Sequence, residues 1–120
     1  MRPIGKIHYN STDKCTKAII FELDDTKAVD ITELDIRPLT DIADTMLIAT
    51  ATSTRHAKAL ADKAIDKGKE IDMPPYSKDG YDSCEWILVD FGDLIVNIML
   101  AETREFYALE KLWCNIDEQD

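Results

Sequence analysis

Residues 85–100 read EWILVDFGDLIVNIML. Two nearly continuous apolar runs, Trp86–Val89 and Leu94–Leu100, flank the tripeptide Phe91-Gly92-Asp93. A glycine between two strand-like runs can take the positive φ that a tight reversal needs, so the stretch predicts an antiparallel hairpin. Apolar residues fall at both parities of the two runs, which requires cover on both faces of the sheet that holds them. Helices supply such cover in a chain of this size.

Upstream, EIDMPPYSKDGYDS (70–83) is irregular. Its paired prolines exclude a helix and suit at most an edge strand. Before it, Ser53 or Thr54 caps a helix that runs to about Lys67 and stops at Gly68. Ala57, Leu60, Ala61, Ala64 and Ile65 recur along it at helical spacing, and its alanines permit close approach to a sheet. DTMLIATAT (44–52) reads as a strand. So does DITELDIRPL (30–39), for about six residues and ended by Pro38. Its two alternating sets, Thr32, Leu34, Ile36 and Ile31, Glu33, Asp35, predict one face more buried than the other. Residues 12–28 form a first helix capped by Thr12 and Asp13, with Cys15, Ala18, Ile19 and Leu23 as its apolar side and Phe21 flanking.

Downstream, residues 101–113 read as a last helix. Phe106, Leu109 and Trp113 lie at i, i+3 and i+7 and suffice to dock it. Tyr107 and Leu112 are in excess of that stripe, which offers a second apolar strip to another protein. The wide-core alternative has the first helix wrapping this surface. Residues 1–11 read as a flexible leader, 12–114 as one domain and 115–120 as an acidic tail. The element order is helix, strand, strand, helix, strand, hairpin, helix. It predicts an α/β fold with a mixed β-sheet flanked by helices.

Twenty-four acids against fourteen bases give the 120-residue chain a net charge of −10. That sign repels nucleic acid and anionic membranes and favours a basic partner. Three cysteines, Cys15, Cys84 and Cys114, have no paired spacing, which argues against a disulfide framework or a zinc site and for a reducing compartment. No apolar run is long enough for a membrane span, and the first residues carry no signal-peptide pattern.

Catalytic signals are poor. The glycines at 5, 68, 80 and 92 are scattered, so there is no phosphate-binding loop. His8 and His56 lie far apart in sequence. Asp24-Asp25 falls at a helix end, where acids are solvated. Asp90 and Asp93 bracket the hairpin turn, where a carboxylate more often accepts backbone N–H bonds than it binds a cation. TSTRH (52–56) at a strand-to-helix junction reads first as an N-cap and second as an anion site. Trp86 opens the hairpin at a strand end, a half-exposed setting that suits an interface anchor.

The segments DTMLIATATSTRHAKALAD and EWILVDFGDLIVNIMLAETREFYALEKLW resemble the ribosomal silencing factors, also called Iojap-like proteins. In that family they read approximately as a strand ending T-G-T-S-x-R-H, then W-x-x-x-D-x-G-D-x-x-V-H, then R-x-x-Y-x-L-E-x-L-W. The similarity covers roughly residues 12–114. There are departures. Ala51 stands where the pattern has glycine, Ser77-Lys78-Asp79-Gly80 where it has G-x-E-G, and Asn97 where it has histidine.

The resemblance implies a nucleotidyltransferase-like scaffold that lacks catalytic residues, since neither the G-S turn nor the D-x-D pair of those enzymes is present. It implies a cytoplasmic, non-catalytic repressor of translation with no cofactor. The expected partner is the large ribosomal subunit through its basic fourteenth protein, with joining of the small subunit blocked when nutrients are scarce. Matching motif positions nominates Trp86, Asp90, Asp93, Arg104, Tyr107, Glu110, Leu112 and Trp113 as partner-binding residues. The runner-up is a nucleotide-binding or nucleotidyl-transferring enzyme using Asp90, Asp93 and the 52–56 turn. A homodimer through the same apolar surface is the third reading.

Overall fold

The computed structural model describes residues 14–109, and the statements below concern those residues. The chain forms α1 (Lys14–Asp25), β1 (Val29–Asp35), β2 (Thr45–Ala51), α2 (Thr54–Glu70), β3 (Ser77–Asp79), β4 (Trp86–Asp90), β5 (Leu94–Leu100) and α3 (Ala101–Tyr107). The five strands make one sheet in the order β1-β2-β5-β4-β3. Only the β2–β5 pairing is parallel, so the sheet is mixed, as the sequence predicts.

The hairpin at 86–100 is present. β4 and β5 pair antiparallel with Trp86 opposite Met99 and Asp90 opposite Ile95. The Phe91 N–H donates to the Leu94 carbonyl at 2.9 Å, and Gly92 turns the chain at φ +101°. That φ disfavours any side chain. β5 lies in the middle of the sheet, next to β2, and both strands read as apolar runs because both of their faces are covered.

The cover differs between the faces. On one, α1 and α2 pack Ile19, Leu23, Leu60 and the α2 alanines against Leu47, Ala49, Ile87, Val89, Val96 and Ile98. Each large side chain so buried contributes about 1.5–3 kcal/mol. On the other face a smaller cluster joins Leu34, Met46, Ile48 and Met99 to Ile36 and Ala43 of the β1–β2 connection. Trp86, Ile95 and Leu109 pack there without full burial. Among the described residues, neither α1 nor α2 packs on this second face.

Several elements differ from expectation. α1 ends at Asp25, where Lys27 at φ 71° and an Ala28 N–H to Leu23 carbonyl bond of 3.0 Å close it. Its buried stripe is Thr16, Ile19 and Leu23, with Cys15 only half-buried. β1 begins earlier than expected, at Val29, with an irregular register beside Asp30 at φ 50°. α2 does not stop at Gly68 but runs through it to Glu70. A Cβ at Gly68 would lie 2.6 Å from both the Met73 carbonyl oxygen and Phe91 Cε1, so that glycine serves close packing, not termination. The short β3 matches the edge strand expected after the prolines, and all three of its residues are exposed.

The last helix, expected over 101–113, is interrupted: α3 ends at Tyr107, Ala108 adopts φ 46°, ψ 51° with its N–H bonded to the Arg104 carbonyl, and Leu109 is helical again at the edge of the described residues. The break redirects Leu109 onto the second face of the sheet. α3 buries none of its residues, and Phe106, expected to dock it, is 79 % exposed. The leader, the Thr12–Asp13 cap, Glu110, Leu112, Trp113 and the acidic tail lie outside the described residues.

Candidate functional site

Side chains alternate across a strand, so Trp86, Leu88 and Asp90 of β4 share the face opposite α1 and α2 with Ile95, Asn97 and Met99 of β5. Trp86 is half-buried at the start of β4. Its indole Nε1–H donates to Asn97 Oδ1 at 2.8 Å. Its ring lies 4.8 Å from that of Tyr107, tilted by 48°. Tyr107 in turn meets Phe106 edge to face at 4.9 Å. Such ring geometries are favourable beyond area burial. Three aromatic rings thus step outward from the sheet into solvent, from half-buried Trp86 to 52 % exposed Tyr107 and 79 % exposed Phe106.

Arg104 holds the helix that carries two of these rings. One guanidinium nitrogen donates to the Asp30 carbonyl and to Thr50 Oγ1, both at 2.7 Å, and the other to Thr32 Oγ1 at 2.8 Å. These acceptors lie on β1 and β2, so Arg104 ties α3 to the strand beside β5 and to the edge strand beyond it. No signal in the local sequence marks the two threonines as its acceptors. Asn97, which stands out in the sequence only as a departure from the family's histidine, is the hydrogen-bond partner of Trp86, which no local pattern shows.

The acids sit elsewhere. Asp90 accepts the Gly92 N–H at 2.8 Å, which is the turn-stabilising role expected for it. It shares Trp86's strand face but lies four residues along, about 13 Å away at 3.3 Å per residue. Asp93 is exposed on the turn, and its carbonyl accepts the N–H groups of Asp44 and Thr45. The structure therefore brings Trp86 and Tyr107 into contact and sets Asp90 and Asp93 at the other end of β4. Arg104 is directed at the sheet.

The 52–56 turn does what capping requires. Ser53 is the N-cap of α2 and its oxygen accepts the His56 N–H at 3.0 Å. His56 Nδ1 accepts the Thr52 N–H at 2.9 Å, and Nε2 lies 2.8 Å from the Thr26 carbonyl, to which it donates. Parallel pairing aligns Thr45 with Leu94 and Ala51 with Leu100. The 52–56 turn follows Ala51, whereas Asp90 and Asp93 precede Leu94. The two halves of an enzyme site built from them stand at opposite ends of the sheet, about 20 Å apart. They do not converge on one substrate.

No helix among the described residues is long and apolar enough to cross a membrane. Residues 9–120 match the family model described as ribosomal silencing factor during starvation. The chain is 42 % identical over 98 residues to the ribosomal silencing factor of Chromobacterium violaceum, covering 82 % of this chain and 80 % of that one. It is 36 % identical to that of Bacillus subtilis, over 75 % of this chain and 76 % of the relative. It is also 39 % identical to the mouse mitochondrial assembly of ribosomal large subunit protein 1, over 72 % of this chain and 39 % of that longer one. A crystal structure from Chromobacterium violaceum superimposes with a TM-score of 0.82 at 41 % identity, covering 83 % of each chain. One from Bacillus halodurans gives 0.76 at 27 % identity, over 83 % of this chain and 93 % of that one. These bacterial relatives are named as silencing factors, not as enzymes, and the match spans nearly the whole sheet and its helices: the chain belongs to the ribosomal silencing factor family.

Proposed function

We propose that the chain represses translation by docking on the large ribosomal subunit, through its basic fourteenth protein, and obstructing the small subunit. The observation that carries this reading is the Trp86–Tyr107–Phe106 series at the second face of the sheet, which steps from half-buried to largely exposed. Aromatic residues at the centre of a patch are the usual anchors of protein interfaces. The net charge of −10 favours a basic partner. The body measures 39 × 32 × 23 Å, enough to keep a joining surface from closing. Obstruction of that kind makes and breaks no bond. Repression under nutrient limitation belongs to the same reading.

Trp86 and Tyr107 are the contacts we place at its centre, with Asp90 and Asp93 as acidic contacts toward one edge. The test is a gradient profile of purified ribosomal subunits joined with and without saturating protein. The wild type comigrates with free large subunits and depletes joined ribosomes. Trp86→Ala, with its fold checked by circular dichroism, loses about 2 kcal/mol or more of large-subunit affinity. Normal subunit joining at saturating wild-type protein would falsify the proposal.

A further inference from the structure

We infer that Asn97 is a positioning residue for the docking face: its carboxamide oxygen fixes the Trp86 indole in the orientation that meets the ribosomal partner. The inference rests on the reading of that face given above and assigns the residue that prepares it.

Asn97 occupies the middle of β5 and is 1 % exposed. Its lateral neighbours are Ile48 on β2 and Leu88 on β4, both apolar. A carboxamide there loses its water and needs partners for an oxygen and an NH2 group. The oxygen has one, the Trp86 Nε1–H at 2.8 Å. The nitrogen, equally buried, has no hydrogen-bond partner. An orphaned buried donor lowers stability. For folding alone, a leucine at this position satisfies the apolar surroundings better.

What the carboxamide supplies and a leucine cannot is a fixed acceptor. The ring torsion of tryptophan is broad, so packing alone leaves a half-buried indole free to turn. The bond to Asn97 Oδ1 selects one orientation. In that orientation the indole meets Tyr107, and Tyr107 meets Phe106. One buried oxygen thereby sets the first member of the aromatic series, and the exposed rings follow from it. A polar residue that lowers stability yet organises an exposed surface is the pattern expected where binding, not folding, sets the residue.

Three variants test this by affinity for purified large subunits, by thermal midpoint, and by the Trp86 indole N–H resonance. Asn97→Leu removes an orphaned NH2 group but also the acceptor of the Trp86 N–H, so it is expected to melt near wild type, to shift the indole resonance, and to lose about tenfold in affinity. Asn97→His offers a ring nitrogen as acceptor and is expected to hold affinity within about threefold. Trp86→Phe keeps a ring, removes the donor, and is expected to lose about as much as Asn97→Leu. Combining the two should cost little more than either alone, since both remove one bond. Should Asn97→Leu fail to fold, Trp86→Phe decides the matter. A folded Trp86→Phe or Asn97→Leu that binds like wild type overturns the inference while the docking reading stands. A wild type that does not bind large subunits overturns both.

Discussion

Gly68 shows how one residue can carry the opposite meaning from the one its type suggests. A glycine near the end of a helical pattern is read as a stop. Here the helix runs on to Glu70, and the missing side chain leaves room for the Met73 carbonyl and the Phe91 ring at 2.6 Å from where a Cβ would stand. In an open helix, Gly→Ala gains about 1 kcal/mol. At Gly68 the added methyl meets backbone on one side and a core ring on the other, and overpacking of that kind costs about 1–3 kcal/mol. Gly68→Ala is therefore expected to destabilise by up to about 2 kcal/mol net, read as a lower urea midpoint at unchanged slope. A midpoint at or above wild type would show that Phe91 and the Met73 turn yield freely. Sequence could not reveal this, because the ring that fills the space comes from the hairpin turn, twenty-three positions downstream. The Asn97–Trp86 bond was hidden for the same reason: cross-strand register, not local pattern, makes those two side chains neighbours.

At the scale of elements, legibility followed the strength of local periodicity. The hairpin and α2 were readable because each carries an uninterrupted pattern with its own turn or cap, Gly92 in one and Ser53 in the other. The interruption of the last helix was not foreseen because it depends on Ala108 taking a left-handed conformation, which no alanine announces. The β3–β4 connection is held by contacts invisible in sequence. Tyr81 donates its hydroxyl to Asp62 on α2 at 2.9 Å, and Lys78 Nζ lies 4.8 Å from the centre of its ring. Burial raises the Tyr81 pKa well above the ordinary tyrosine range, and the bond to Asp62 and that carboxylate's charge add to the rise. The fold thus prefers the protonated phenol. Its contribution is complete below the unfolded value of about 10 and is lost as pH climbs toward the folded one. Between about pH 9.5 and 11.5, wild-type stability should fall more steeply than that of Tyr81→Phe, which has no phenol to ionise. Parallel curves from urea titrations across that range would remove Asp62 as the anchor of this connection.

For the whole molecule, charge and shape act over different distances. The −10 belongs to the entire chain, and its field reaches a basic partner before any side chain touches. The aromatic series acts only on contact. Salt separates the two, because mobile ions shorten the reach of charge from about 14 Å near 50 mM to about 6 Å near 300 mM while leaving desolvated ring contacts largely alone. Raising monovalent salt over that range, with magnesium held constant so the ribosomal subunit stays intact, is expected to lower the association rate with large subunits by about tenfold. The dissociation rate should change by no more than about twofold, since rim charges act mainly on encounter and a buried anchor acts mainly on residence. Trp86→Ala should show the converse, faster release at a nearly unchanged association rate and an unchanged salt slope. Surface-immobilised subunits read by interferometry report both rates in one experiment. A salt-insensitive association rate would mean that the acidic balance serves the free protein alone, and docking would then rest on the aromatic series without electrostatic help.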